Sequence, residues 1–197
     1  MIIGIRHAPV EAAMAGRCYG ATDVETVLSH GEAARLALSS LATLEGGASA
    51  FDVLWSSDLV RCRGLAEALA PSLASGVDHG PDHGLSGFLE VRVDVRLREL
   101  DHGTFERRAW DEIHGSEPEA LKRWGASWQS EGPPQGESAT ALESRVRAWL
   151  AELDGAQRHL LVGHAGAMRA LLVVAQGLDW PTAMSSEIPH LRAIRLA

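Results

Sequence analysis

Two apolar runs, one near each end of the chain, stop abruptly on a histidine. The first is Ile2-Ile3-Gly4-Ile5-Arg6-His7-Ala8. The second is Leu160-Leu161-Val162-Gly163-His164-Ala165-Gly166, which continues into Ala167-Met168-Arg169-Ala170-Leu171-Leu172. A short, continuous apolar run reads as a strand buried on both faces. In α/β sheets the crevice that receives ligands lies beyond the carboxyl ends of such strands. A strand that merely ends on polar residues is the plainer reading of the first run taken alone, and the repetition is what argues against it. After His164 small residues open a helix, whose unpaired N–H groups point to the same place as the imidazole. Arg6 offers a planar fork of donors suited to phosphate. A neutral histidine beside it can act as a nucleophile, because the guanidinium disfavours the protonated ring.

The rest of the chain alternates strands with helices. Ser29 and Glu32 form a capping-box signature for a helix over 30–44, closed by Gly46-Gly47. Residues 51–55 read as a short strand, and Ser56-Ser57 cap a helix over 58–70 that Pro71 closes. Residues 91–95 alternate as a strand, 109–113 form a short helix, and Pro118 opens another to about Trp128. Glu137-Ser138 start a long helix to about Leu153. The strand 159–163, a helix over 165–177 and a last strand over 190–196 follow. Trp110, Trp124, Trp128 and Trp149, at helical spacing, are expected in the core. Right-handed crossovers then imply a three-layer α/β/α sandwich with a mostly parallel central sheet, one domain over 1–197. The segment 9–27 is too long for a plain connection, and long ordered loops often carry function.

Charge and cysteine content exclude several partners. The formal net charge of −8 argues against nucleic acid and anionic membranes, both of which reward basic patches. A few converging arginines still suffice for a phosphate-sized ligand. Cys18 and Cys62 have neither metal-ligand spacing nor the density of a disulfide scaffold. Asp78-His79 and Asp82-His83 sit in a breaker-rich stretch without a partner cluster, so neither a metal nor another cofactor is expected. No signal-peptide core precedes Arg6 and no apolar run is long enough to span a bilayer. A cytoplasmic protein is expected, with a homodimer left open.

Four stretches together resemble the histidine phosphatase superfamily, the phosphoglycerate-mutase-like group. They are Arg6-His7, Ser56-Ser57-Asp58-Leu59-Val60-Arg61, Leu97-Arg98-Glu99-Leu100-Asp101-His102-Gly103 and Gly163-His164-Ala165-Gly166. Their order and spacing cover nearly the whole chain. The resemblance implies that His7 attacks phosphorus to give a phosphohistidine, and that Arg6, Arg61 and His164 clamp the phosphate of a small phosphorylated metabolite. It also singles out Glu99 as general acid, because the family's acid stands four residues before a glycine, as Glu99 does before Gly103. Ala8 and Ala165 replace usual glycines, which is tolerable if neither position needs positive φ. Val10 and Ala13 replace usual small polar phosphate ligands.

The stretch Gly16-Arg17-Cys18-Tyr19-Gly20 with Asp23-Val24 resembles the corresponding loop of α-ribazole phosphatase-like members. This implies α-ribazole 5′-phosphate as substrate, with Tyr19 and Cys18 beside it. Tyr19 would either stack on an aromatic base or simply pack the loop. A broad-specificity phosphatase, a mutase-type phosphotransferase and a catalytically weak regulatory relative are the alternatives. The chain lacks the long lysine- and arginine-bearing insertion of the resembling mutases and keeps all four central residues, which favours the phosphatase.

Overall fold

β1 (Ile2–Arg6) and β4 (His159–Gly163) lie side by side and parallel in the middle of a five-stranded sheet, in a computed structural model that describes residues 1–44, 51–73 and 89–197. β2 (Val53–Ser56) and β3 (Val91–Val93) extend the sheet beyond β4, both parallel. β5 (Ala193–Arg195) closes the other edge, antiparallel to β1. The order β3-β2-β4-β1-β5 makes the mostly parallel sheet expected, and the structure adds an antiparallel edge at β5.

Side-chain alternation assigns the two faces. Ile3 and Ile5 of β1, Leu54 of β2 and Leu160 and Val162 of β4 pack in one core with α1 (His30–Ala42) and α2 (Val60–Leu73). Ile2 and Leu161 face the other core, formed with α5 (Ala139–Leu150) and α6 (Ala165–Gln176). Three layers follow directly from the period of two along each strand. At Gly4 a Cβ would lie 2.5 Å from Leu196 Cδ1, so a side chain there would push the Leu196 side chain out of its place in the core.

Helix boundaries hold locally where side chains cap the backbone. Ser29 and Glu32 make the full capping box of α1, and Ser138 caps α5 through Ala141 N–H at 3.1 Å. Several expectations are corrected. Pro71 lies inside the last turn of α2 instead of closing the helix, where it has no N–H to give to the carbonyl four residues earlier. The Ser57 hydroxyl accepts from Leu59 N–H, at 3.3 Å, while Val60 N–H is capped across space by Asp23 Oδ1 at 2.7 Å. β3 ends at Val93 because Asp94 accepts from Arg96 N–H and starts a 3-10 turn over Val95–Leu97. The short helices run over Trp110–Ser116 (α3) and Pro118–Ser127 (α4). An unexpected α7 (Trp180–Ser185) is capped by Asp179, with Pro181 in its first turn, a start signal present in the sequence. Gly46-Gly47 and the Asp78-to-Gly84 stretch lie outside the described residues. Among the described residues no helix is long and apolar enough to cross a membrane.

Candidate active site

β1 and β4 pair with Arg6 opposite Gly163, so the next residue of each strand leaves the sheet at the same level. His7 N–H donates to Gly163 O at 3.1 Å, and the His7 and His164 ring centroids are 5.2 Å apart. Both imidazoles are buried. His7 Nδ1 lies 2.6 Å from the Ala8 carbonyl oxygen. A carbonyl can only accept, so Nδ1 carries the proton and Nε2 keeps a free lone pair. Burial, and after it the Arg61 guanidinium, hold His7 well below the ordinary histidine range. The same two causes act on His164. With the neutral ring as the reactive form, kcat/KM is expected not to fall as pH drops through about 6.5, the ordinary histidine value, with the acid limb due to His7 lying below that. A pH–rate profile whose acid limb lies at or above it would contradict this assignment.

Arg61, in the first turn of α2, is 1% exposed. Its Nη2 donates to Gly20 O at 2.6 Å and its Nη1 to Thr22 O at 2.8 Å. The loop that presents those carbonyls is itself held by Glu106, whose carboxylate accepts from the N–H groups of Gly20, Ala21, Thr22 and His102 at 3.0–3.3 Å. Burial pushes the Glu106 carboxyl up, but hydrogen bonding from the His102 and Thr22 side chains, and after them from the His102 and Gly20 N–H groups, outweighs it and holds it at about 2. Only glycine fits at position 20, where a Cβ would lie 1.8 Å from Leu100 O. The long 9–27 loop is therefore ordered by a carboxylate that the sequence reading did not single out. Arg6, at the end of β1, donates from Nη1 to Ile188 O at 3.0 Å.

Glu99 follows the 3-10 turn after β3. Arg145 of α5 fixes that backbone by donating to the carbonyls of Arg96, Arg98 and Glu99. The Glu99 carboxylate accepts from Leu100 N–H at 2.9 Å and from Gly166 N–H, at the start of α6, at 3.0 Å. A Cβ on Gly166 would lie 2.1 Å from Glu99 Oε1, so a side chain there would displace this carboxylate. Ala8 and Ala165 are not among the positive-φ residues, so alanine in place of the usual glycine is accommodated at both.

A chamber of about 500 Å³ opens beside Arg6 and Glu99. Tyr19 lines it, with the Arg61 guanidinium 5.9 Å from the centre of its ring. Cys18 instead packs with Phe105 and Ile113, and burial pushes its thiol up to about 12, so it serves packing. Of the tryptophans expected in the core only Trp149 is there. Trp110 is partly exposed, whereas Trp124 and Trp128 line the chamber together with Trp180 and Met184 of α7. Arg169 lines it too. The signal for Arg169 was its spacing of four from Ala165, which places both on one face of α6. His190 was also missed: its Nδ1 donates to His7 O at 2.6 Å and its ring centroid lies 5.2 Å from that of His7. Cys62 Sγ lies 3.3 Å from His164 Nε2. Among the described residues no group of three or more His, Cys, Asp and Glu could hold a metal ion.

A model of the histidine phosphatase superfamily, branch 1, matches residues 2–196. An α-ribazole phosphatase from Shigella flexneri superposes with a TM-score of 0.76 at 22% identity, covering 98% of this chain and 87% of that one. A mycobacterial glucosyl-3-phosphoglycerate phosphatase superposes with a TM-score of 0.72 at 25% identity, covering 92% and 82%. A Klebsiella pneumoniae protein called "Probable phosphoglycerate mutase GpmB" is 40% identical over 92 residues, 45% of this chain and 42% of its own length. The match thus spans about two fifths of that curated relative.

Proposed function

The chain belongs to the histidine phosphatase superfamily, and we propose that within it the protein is a phosphomonoesterase working through a phosphohistidine at His7 Nε2. One observation carries this reading. The His7 ring gives its Nδ1 proton to the Ala8 carbonyl and so presents an unprotonated Nε2 at the strand ends where Arg6, Arg61 and His164 converge.

In the forward step the Nε2 lone pair attacks phosphorus and the ester P–O bond breaks. Arg6 and Arg61 offset the charge on the transferring group, and neutral His164 donates a hydrogen bond to it from one ring nitrogen. The leaving alkoxide takes a proton from the Glu99 carboxyl. In the second step Glu99, now a carboxylate, takes a proton from water as that water attacks the phosphohistidine. The P–N bond breaks, orthophosphate leaves and neutral His7 is restored. Each Glu99 oxygen has one N–H partner and retains a second lone pair, so the proton can move without dismantling the loop.

For the substrate, we propose a small organic phosphomonoester with a flat apolar portion, and α-ribazole 5′-phosphate as the named candidate. Tyr19, Trp124, Trp128 and Trp180 give the chamber aromatic walls, against which a planar base gains both area burial and ring contacts. The name of the Shigella flexneri neighbour points the same way, although at that identity the likeness speaks for the fold. Comparing kcat/KM for α-ribazole 5′-phosphate, nucleoside monophosphates, sugar phosphates and 3-phosphoglycerate tests this. The expected advantage for the ribazole ester is at least about tenfold, roughly 1.4 kcal/mol of transition-state discrimination. Isomerisation of 3-phosphoglycerate without phosphate release would support a mutase instead.

A further inference from the structure

Among the described residues, three arginines have a buried Nε with no hydrogen-bond partner: Arg6, Arg61 and Arg169. The first two already belong to the phosphate clamp. From this shared signature and its position we infer that Arg169 is a substrate-binding residue that donates to an oxygen of the leaving alcohol, a sugar hydroxyl or a carboxylate near the ester. The inference rests on the phosphatase reading and deepens it by naming what the leaving group must carry.

Arg169 lies in the chamber wall within electrostatic reach of Arg6. It stands one turn into α6, about 6 Å along the axis from Ala165, and it lines the tryptophan-walled chamber together with Arg6 and Glu99. Among the described residues its one hydrogen bond runs from Nη2 to Ser186 O at 3.3 Å, long for a charged donor. Among the described residues no carboxylate pairs with it. Glu99, the acid in the same wall, has both oxygens engaged by the Leu100 and Gly166 N–H groups. Trp124 adds a further buried donor without a partner, its Nε1, to the same walls.

A half-buried guanidinium beside apolar rings is costly while its donors are unpaired. A purely hydrocarbon leaving group would worsen that. One bearing an oxygen two or three bonds from the ester would meet Arg169 just beyond the phosphate held by Arg6, and its apolar remainder would still reach the tryptophans.

The test compares wild type, Arg169→Gln and Arg169→Lys on ribose 5-phosphate, 3-phosphoglycerate and phenyl phosphate, with calorimetric binding of orthophosphate alongside. A charged hydrogen bond of the usual strength predicts that Arg169→Gln loses about 10- to 100-fold in kcat/KM on ribose 5-phosphate or 3-phosphoglycerate. Phenyl phosphate turnover and orthophosphate affinity should change by less than about threefold. Arg169→Lys should fall between wild type and Arg169→Gln on the affected ester. Loss on the sugar ester identifies a hydroxyl as the acceptor, and loss on the glycerate ester a carboxylate. An equal loss on all three esters, or no loss on any, overturns the inference.

If wild type turns over none of them, the phosphatase reading fails and calorimetry decides the rest. A drop in ribose 5-phosphate or 3-phosphoglycerate affinity with orthophosphate affinity retained upholds Arg169. Unchanged affinities, or no binding of either ester, overturn it.

Discussion

In His7→Ala, turnover of any phosphomonoester is expected to fall by about 10⁴- to 10⁶-fold, the scale on which removal of a covalent nucleophile acts. The loss should appear in kcat with every leaving group, because phosphorylation of His7 precedes all later steps. The ring is buried against His164 and His190, so the truncation also opens a small cavity. Circular dichroism must therefore show the variant folded, and His7→Asn supplies a second version with less lost volume. Orthophosphate should still bind to both variants, since Arg6, Arg61 and His164 remain. Turnover within about tenfold of wild type in either folded variant would remove His7 from the mechanism.

Glu99→Gln should separate substrates by the basicity of their leaving groups. A positioned proton donor contributes about 10²–10⁴-fold, so alkyl phosphates, whose alkoxides are strongly basic, should lose about that much. p-Nitrophenyl phosphate, whose phenolate leaves without a proton, should lose less than about tenfold. Glutamine is close to isosteric but carries one acceptor oxygen where Glu99 has two. It therefore satisfies only one of the Leu100 and Gly166 N–H groups, and some loss of stability is expected on both substrates alike. That common loss is why the ratio between the two substrates is the informative quantity. A ratio unchanged from wild type would make Glu99 a structural tie between the 99–100 turn and α6.

The two histidine-bearing strands were readable because their signals are local. β4 occupies the expected residues, and α6 ends one residue short of the expected position at Gly177, which adopts positive φ as a helix C-cap glycine. His7 and His164 then meet because the parallel register between β1 and β4 does the rest. Legibility fails where function depends on how helices face one another. Trp124 and Trp128 read as core because helical spacing gives a face without giving its neighbour. Only the placement of α7, with Trp180 and Met184, turns that face into a chamber wall. Glu106 was invisible for a similar reason: it acts on the 20–22 backbone, more than eighty residues earlier in the chain, and no periodicity encodes such a tie. Cys18 shows the opposite error, since a loop resemblance placed it beside the substrate while its side chain packs under the loop.

The proposed covalent intermediate is open to direct observation. Wild-type protein quenched in base during steady turnover of phenyl phosphate, then digested and analysed by mass spectrometry under alkaline conditions, should carry one phosphoryl group on the peptide containing His7. The label should vanish on brief acid treatment, as a phosphoramidate does, and be missing from His7→Ala. Sustained turnover with no phosphoprotein at any quench time, or an acid-stable phosphate elsewhere that persists in His7→Ala, would contradict the account.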